Sequence, residues 1–252
     1  MIHGKKVVVV MPAYNAARTI MRTAEEVLAQ ACVDEIIVVD DASSDGTVSL
    51  AKALPRTQVH LHPQNRGYGG NQKTCYQLAM EAGADIVIMV HPDYQYTPRL
   101  ITAMASLIAQ GLYPCVLASR ILGGRALRQG MPRWRYCANR VLTLAGNLLM
   151  DSKLSEFHTG YRAYSASLLS ELDLDPCSDD FLFDNQVLAQ ILWRDHTIGE
   201  ITCPTNYLPE ASSINFKRSV QYGFGCLGTA LVYRLALWHL IQSPHFPRTA
   251  RP

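Results

Sequence analysis

Charge is scarce in this sequence. Asp, Glu, Lys and Arg make up only 17% of 252 residues, and the formal balance is +2. Bulk charge therefore gives no case for a nucleic-acid partner. None of the seven cysteines, at 32, 75, 115, 137, 177, 203 and 226, forms a C-x-x-C pair, and the count is odd. That pattern argues against a disulfide framework or a zinc site and for reduced thiols in a cytosolic compartment. No uncharged apolar run reaches the roughly eighteen residues expected of a spanning helix. The opening apolar run, residues 7–10, is too short for a signal-peptide core. The glycine fingerprint G-x-G-x-x-G is missing, which disfavours an NAD-binding Rossmann enzyme. Internal repeats and low-complexity linkers are missing too, so one compact domain is the simplest reading.

What is present is a core and an alternation. Apolar residues reach 48%. Residues 7–11, 35–39, 59–61 and 86–90 read as strands, most of them β-branched throughout, as expected of strands covered on both faces. Between them, residues 16–30, 47–54, 73–82 and 100–110 read as helices. Such alternation predicts parallel strands with right-handed crossovers. Ligands then bind beyond the carboxyl ends of the strands. Three polar clusters follow apolar strands: Pro12-Ala13-Tyr14-Asn15, Asp40-Asp41 and His91-Pro92-Asp93. Further on, residues 116–118 read as a strand ending at Ser119-Arg120. A basic stretch with Arg125, Arg128, Arg133, Arg135 and Arg140 follows, then a helix over 142–150 and a polar-aromatic segment over 155–165. A helix over 181–193 and a strand over 198–202 complete the pattern.

The clusters carry distinct chemistry. In His91-Pro92-Asp93-Tyr94-Gln95, alternate positions offer an imidazole nitrogen, a carboxylate and an amide oxygen. A Mg²⁺ or Mn²⁺ ion on a diphosphate needs few protein ligands, because phosphate and water supply the rest. The imidazole tilts the preference towards Mn²⁺. The plain alternative is a Pro-Asp turn. In Asp40-Asp41-Ala42-Ser43-Ser44-Asp45-Gly46-Thr47 one carboxylate is placed to accept from a nucleobase N–H, while Asp45 or Ser44 caps the next helix. The string Asn65-Arg66-Gly67-Tyr68-Gly69-Gly70-Asn71 is a poor cofactor loop; it suits a close backbone approach to a ligand or a strand.

Taken in order, Pro12-Ala13-Tyr14-Asn15, Val39-Asp40-Asp41-x-Ser43-x-Asp45-Gly46-Thr47, Asn65-x-Gly67 with Gly69-Gly70, and His91-x-Asp93-x-Gln95 resemble the family 2 glycosyltransferases, and within them the dolichol- or polyprenyl-phosphate mannosyltransferase-like branch. The resemblance covers about residues 5–220. It implies an α/β, GT-A fold: a Rossmann-like, mostly parallel sheet flanked by helices, with a C-terminal helical extension. It implies that Pro12, Ala13, Tyr14 and Asn15 line the nucleotide pocket, with Asn15 where the family usually has Glu. Asp41 would contact the base, and Arg120 would face the sugar-phosphate. Asp93 and Gln95 would hold a divalent metal, with His91 in place of the first aspartate; that exchange removes a negative charge beside the diphosphate and changes metal affinity or identity.

The second half is similar to a bacterial branch of the family through Glu156-Phe157-His158-Thr159-Gly160-Tyr161-Arg162-Ala163-Tyr164, Ser178-Asp179-Asp180-Phe181-x-Phe183-Asp184-Asn185-Gln186 and Glu210-Ala211-Ser212-Ser213-Ile214-Asn215-Phe216. Arg162 is placed either to bind an anionic acceptor or to pair with Asp180 or Asp184. Asp180 and Asp184, four apart on the expected helix, share a face, and either serves as a general base. His158 reads as a structural histidine.

The expectation is an inverting, metal-dependent transfer from a UDP- or GDP-sugar to polyprenyl phosphate, Asp93 lying at the reacting centre. Transfer to a sugar hydroxyl and a non-catalytic sugar-nucleotide-binding subunit are the alternatives. A nucleotidyltransferase is disfavoured, because Pro12-Ala13-Tyr14-Asn15-Ala16 stands where a Gly-rich basic loop belongs. Residues 1–216 form the catalytic domain on this reading. Residues 217–252 form a helical segment in which an apolar-aromatic stretch has basic flanks. It lies on a membrane surface, placing the protein peripherally at the cytoplasmic face, or it packs on the core, or it joins two copies of the chain.

Overall fold

The apolar run at the start of the chain becomes the middle of the molecule. In the computed structural model, which describes residues 1–205 and 216–248, β1 (Val7–Ala13) is buried at every position. It lies parallel to β2 (Glu35–Asp40) on one side and to β4 (Ile86–Met89) on the other. Beyond β2 lies β3 (Thr57–Leu61), also parallel. The helices α1 (Ile20–Leu28), α2 (Thr47–Lys52), α3 (Gly67–Glu81) and α4 (Ile101–Ala109) make the crossovers. The rest of the sheet comes from β5 (Cys115–Ser119), β6 (Arg162–Ser165) and β7 (Ile198–Thr202), giving the order β3-β2-β1-β4-β6-β5-β7. The expected mostly parallel α/β sheet is present.

Period-two alternation divides the core between the sheet's faces. Val8, Val10, Ile37, Val39, Val87 and Met89 face one cluster, shared with α3, α7 (Phe183–Trp193) and α8 (Phe216–Leu237). Val7, Val9, Met11, Val38, Ile86 and Ile88 face the other, with α1, α2 and α4. The remaining helices are α5 (Arg133–Leu149) and α6 (Ala166–Glu171).

Four local expectations are corrected. β6, inside the polar-aromatic segment, enters the sheet antiparallel to both β4 and β5. Its amino end therefore reaches the same rim as the carboxyl ends of the parallel strands. α3 starts six residues before the expected 73, running through Gly67, Gly69 and Gly70. A Cβ on Gly69 would stand 2.2 Å from the Ser178 carbonyl oxygen, so the glycines let the helix abut the 178–179 turn. α5 begins at Arg133, not 142; its arginines lie on a helix surface and Pro132 precedes the first turn. α7 begins at Phe183, which leaves Asp180 in the turn before it. Residues 210–215, the body of the third resemblance string, lie outside the described residues.

Candidate active site

Strand ends build the rim. β1 delivers Ala13, Tyr14 and Asn15; β2 delivers Asp40 and Asp41; β4 delivers His91 and Asp93; β5 delivers Ser119 and Arg120. The reversed β6 adds the preceding segment, Glu156 to Gly160. Of these, Ala13, Tyr14, Asn15, Asp41, His91, Asp93, Arg120, His158 and Gly160 line one cleft in two halves, and the others are buried behind it. The first, about 670 Å³, is bounded by Pro12, Ala13, Tyr14, Asn15, Asp41, Asn65, Asp180 and Arg218. The second, about 220 Å³, is bounded by Gln95, Arg120, Trp134, Arg135, Asn139, Leu142, His158 and Asp184. Tyr68, His91, Asp93 and Phe181 line both, and so form the divide.

In the first half, rigidity comes from carboxylates and amides that hold backbone. Asp41 is 3% exposed. It accepts from Arg66 N at 2.8 Å, Gly67 N at 3.0 Å and His62 Nδ1 at 2.8 Å. It thereby ties the tip of β2 to the start of α3, on the wall where a base contact is expected. Asn15, with φ of 49°, accepts from Ser44 N through its side chain at 2.9 Å, and its own N–H donates to Ser43 Oγ at 2.8 Å. Asp45 accepts from the Thr47 N–H at 2.9 Å and from Ala17 N at 3.1 Å, an Asx-turn bond just ahead of α2; the N-cap itself is Gly46 without a side-chain cap, so the expected capping by Asp45 or Ser44 is not made.

The divide rests on one phenol. Tyr68 donates to Asp184 Oδ2 at 2.7 Å and lies 3.0 Å from His91 Nε2, with the rings stacked at 5.3 Å. Burial and the Asp184 charge push the Tyr68 hydroxyl well up, so it stays neutral and carries a single proton. With that proton given to Asp184, the Tyr68 oxygen accepts from His91 Nε2–H, and the lone pair of the neutral imidazole resides on Nδ1. Burial lowers His91 against the opposing charges of Asp93 and Asp184, which keeps it neutral. A Cβ on Gly160 would lie 2.8 Å from His91 Nε2, so glycine leaves room for the pair.

These atoms fit a divalent cation. Nδ1 of His91 has no protein partner among the described residues, Asp93 accepts only the Gln95 N–H at 3.0 Å, and the Gln95 side chain lines the same space. Among the described residues no three His, Cys, Asp or Glu side chains converge as a closed cage. The donor set is open, as suits an ion that takes its other ligands from a diphosphate.

The second half is organised by a buried ion pair. Glu156 is 0% exposed. Burial would raise its carboxyl, but the Arg120 charge and hydrogen bonds from the Arg120 side chain and backbone outweigh that and hold it below the usual range. Arg120 Nε donates at 2.8 Å, a second guanidinium nitrogen also bonds Glu156, and Asn139 of α5 donates to the same carboxylate at 2.8 Å. Arg120 also donates to the His158 carbonyl at 2.8 Å. His158 Nδ1 meets the Tyr222 hydroxyl of α8 at 2.8 Å. Its Nε2 is buried without a partner among the described residues, and burial lowers the ring to about 4.

Two expected roles change. Arg162 is 0% exposed and donates to the carbonyls of Thr159, Asp184 and Phe157 at 2.8, 2.6 and 3.0 Å. It lies 3.8 Å from the Asp184 carboxylate. It supports that residue from below and cannot reach an acceptor. Asp180 and Asp184 do not share a helix face: Asp180 lies outside α7, lines the first half and pairs with Arg218 at 2.9 Å, while Asp184 lines the second half. Sequence reasoning missed Tyr68, although a single aromatic among three glycines was a signal. It also gave Glu156 no role; His158, read as structural, is buried and bonded to Tyr222.

The family 2 glycosyl transferase model matches residues 8–173. The chain belongs to glycosyl transferase family 2. This glycosyltransferase is 27% identical over 219 residues to the UDP-N-acetylglucosamine–dolichyl-phosphate N-acetylglucosaminyltransferase of Methanococcus voltae, covering 81% of this chain and 86% of that one. It is 27% identical over 179 residues to the undecaprenyl-phosphate mannosyltransferase of Micrococcus luteus, covering 68% and 70%. Among solved structures, it is similar to glucosyl-3-phosphoglycerate synthase from Mycobacterium tuberculosis in complex with Mn²⁺, UDP and phosphoglyceric acid. The TM-score is 0.69 at 18% identity, covering 92% of this chain and 79% of that one. At that identity the likeness speaks for the fold, which is the GT-A glycosyltransferase fold.

Proposed function

We propose that this glycosyltransferase moves a sugar, with inversion, from a UDP- or GDP-sugar to a polyprenyl phosphate. The observation that carries the proposal is the division of the cleft. The half built by β1, β2 and β4 offers fixed polar walls to a nucleotide. The half beyond Tyr68 combines Arg120 and Arg135 with the apolar Trp134 and Leu142, the pairing a phosphate on a lipid tail requires. The two polyprenyl-type relatives carry acceptors of that class in their names.

A divalent cation, Mn²⁺ or Mg²⁺, would be held by Asp93, Gln95 and His91 Nδ1 and would neutralise charge on the departing diphosphate. The chain's own residues then orient the reactants. Asp41 and Asn15 stiffen the wall for the nucleotide. Arg120, itself fixed by Glu156, directs a guanidinium towards anionic oxygens at the divide. A lipid phosphate needs no base, because its second pKa is about 6 by analogy with phosphate esters. Asp184 favours a second reading, transfer to a sugar hydroxyl: a carboxylate in the second half, held by Tyr68 and Gln72, is placed as a general base. Asp180, paired with Arg218 beside the first half, is assigned to donor binding.

On this reading residues 1–216 carry catalysis, and residues 217–252 hold the enzyme peripherally at the cytoplasmic membrane face. No helix among the described residues is long and apolar enough to cross a membrane. The test is transfer from UDP- and GDP-sugars, with and without Mn²⁺, to a short water-soluble polyprenyl phosphate and to sugar acceptors. A glycosylated lipid phosphate is the expected product. Transfer only to hydroxyls would sink the lipid-phosphate reading, and Mn²⁺-independent binding without hydrolysis or transfer would make the chain a binding subunit.

A further inference from the structure

Two helices expose apolar residues at the same spacing. On α5 the positions Cys137, Val141, Leu144 and Leu148 recur at intervals of four, three and four, and all are exposed. On α8 the positions Val220, Phe224, Leu227 and Leu231 repeat those intervals, and Phe224 is 71% exposed. Such a pattern is one helical stripe, usually turned to a core. Here each helix already buries a different side. α5 buries Asn139, Thr143 and Gly146, and α8 buries Cys226, Ala230 and Tyr233. The helices also pack on each other: Gly223 abuts Leu142, and Arg234 donates to the Leu148 and Leu149 carbonyls at 2.8 Å. Leu227 and Leu231 follow Gly223 at successive helical turns, so the α8 stripe runs along the seam with α5. The stripes form one outward face.

Charge selects its occupant. Residues 121–150 contain five arginines and no Asp or Glu, Arg120 being taken up by Glu156 in the cleft, and residues 216–248 contain Lys217, Arg218, Arg234 and Arg248 and no Asp or Glu. The neighbouring Asp151 and Asp180 are each bonded to an arginine of α8. Two copies docked through this face would oppose like charges. A leaflet with anionic headgroups would accept the apolar stripes and attract the basic surround. Trp134 and Leu142, on the same α5, line the second half of the cleft, so the face is continuous with the acceptor space.

We infer that α5 and α8 together form a docking face for an anionic lipid bilayer, with α5 an equal partner of the C-terminal helix. The inference extends the lipid-phosphate reading, which supplies the reason a membrane-bound acceptor would be met at this face.

The test is flotation of the full chain with vesicles of phosphatidylcholine alone or with about a third phosphatidylglycerol. The wild-type chain is expected to float with the anionic vesicles and to be released by high salt. Leu144→Glu with Leu148→Glu on α5, and separately Phe224→Glu with Leu231→Glu on α8, are each expected to lower partitioning by about tenfold or more. The thermal shift caused by UDP with Mn²⁺ should survive in both, which shows the fold and donor half intact; Gln replaces Glu in any variant that loses it. An environment-sensitive fluorophore on Cys137, the exposed cysteine, should shift to the blue on anionic vesicles of the wild-type chain. Absence of flotation by the wild type overturns the proposal. So does an α5 variant that floats like the wild type, or a wild-type dimer that either variant splits without any lipid association. Transfer to the short soluble acceptor is scored separately, so the catalytic reading stands or falls on its own.

Discussion

The two halves of the cleft are rigid for different reasons. The half assigned to the nucleotide is held mostly by side chains bonded to backbone: Asp41 to Arg66 and Gly67, Asn15 to Ser44, Asp45 to Thr47 and Ala17. The half beyond Tyr68 is held by side chains bonded to one another, around the Arg120–Glu156 pair. Backbone anchors are distributed, so loss of one leaves the others. A buried ion pair concentrates the dependence in one place, because losing a partner strands a charge.

Glu156→Gln should break the comparison hardest. Stranding Arg120 should destabilise the fold by about 3–5 kcal/mol, read as a fall in denaturant midpoint. A loss as small as that of an exposed pair would show that the second half is not built as described. Asp93→Asn comes next: it should lower transfer by about a hundredfold or more while leaving the melting temperature near wild type. Unchanged transfer in Mn²⁺ would remove Asp93 from the reacting centre.

pH separates the halves further. His158 is lowered to about 4 from 6.5 by burial, so the unfolded chain binds the extra proton first. Its contribution to stability is complete above pH 6.5 and is lost as pH falls towards 4, by up to about 3 kcal/mol. Glu156, also lowered, adds stability that is present above its unfolded value and lost as pH falls through the folded one. Melting temperature against pH should therefore fall on the acid side, and His158→Asn should flatten the part between 6.5 and 4. An identical curve in the variant would contradict the buried neutral imidazole.

Tyr68→Phe should cost less, about tenfold in kcat, with UDP affinity little changed, since both halves keep their anchors and only the divide loses its hydroxyl. Asn15→Glu, the smallest change, should shift donor KM by a few-fold without altering the melting temperature by more than about a degree or two. A large loss of stability would mean that the bond from Ser44 N to Asn15 matters more than its exposure suggests.

Sequence reading found the first half far better than the second, and the cause is physical. Parallel strands announce themselves as apolar runs, and the residues at their ends belong to the site by topology alone, as with Asp41 and Asp93. The second half depends on pairings that periodicity does not encode. Arg120 meets Glu156 across 36 residues only because the four-residue β6 enters the sheet backwards. For Arg162 the sequence left an anionic acceptor and a pairing with Asp180 or Asp184 both open; three backbone carbonyls and the Asp184 carboxylate make it internal. The first turns of α3 and α5 were hidden by glycines in one case and by arginines after Pro132 in the other.

The reversed β6 has a consequence for how such an enzyme can diversify. Everything from β1 to β4 folds with consecutive crossovers and carries the wall assigned to the nucleotide. Of the residues in the half assigned to the acceptor, Arg120, Trp134, Arg135, Asn139 and His158 lie in the single stretch between β5 and β6, while Asp184 and Tyr222 come from α7 and α8. That stretch starts and ends on adjacent, paired strands. A change in its length or chemistry can be anchored at the same two strands and leaves the ends of β1, β2 and β4 in place, provided it keeps the contacts it makes outside itself: Leu142 on Gly223, the Leu148 and Leu149 carbonyls on Arg234, and Gly160 beside His91.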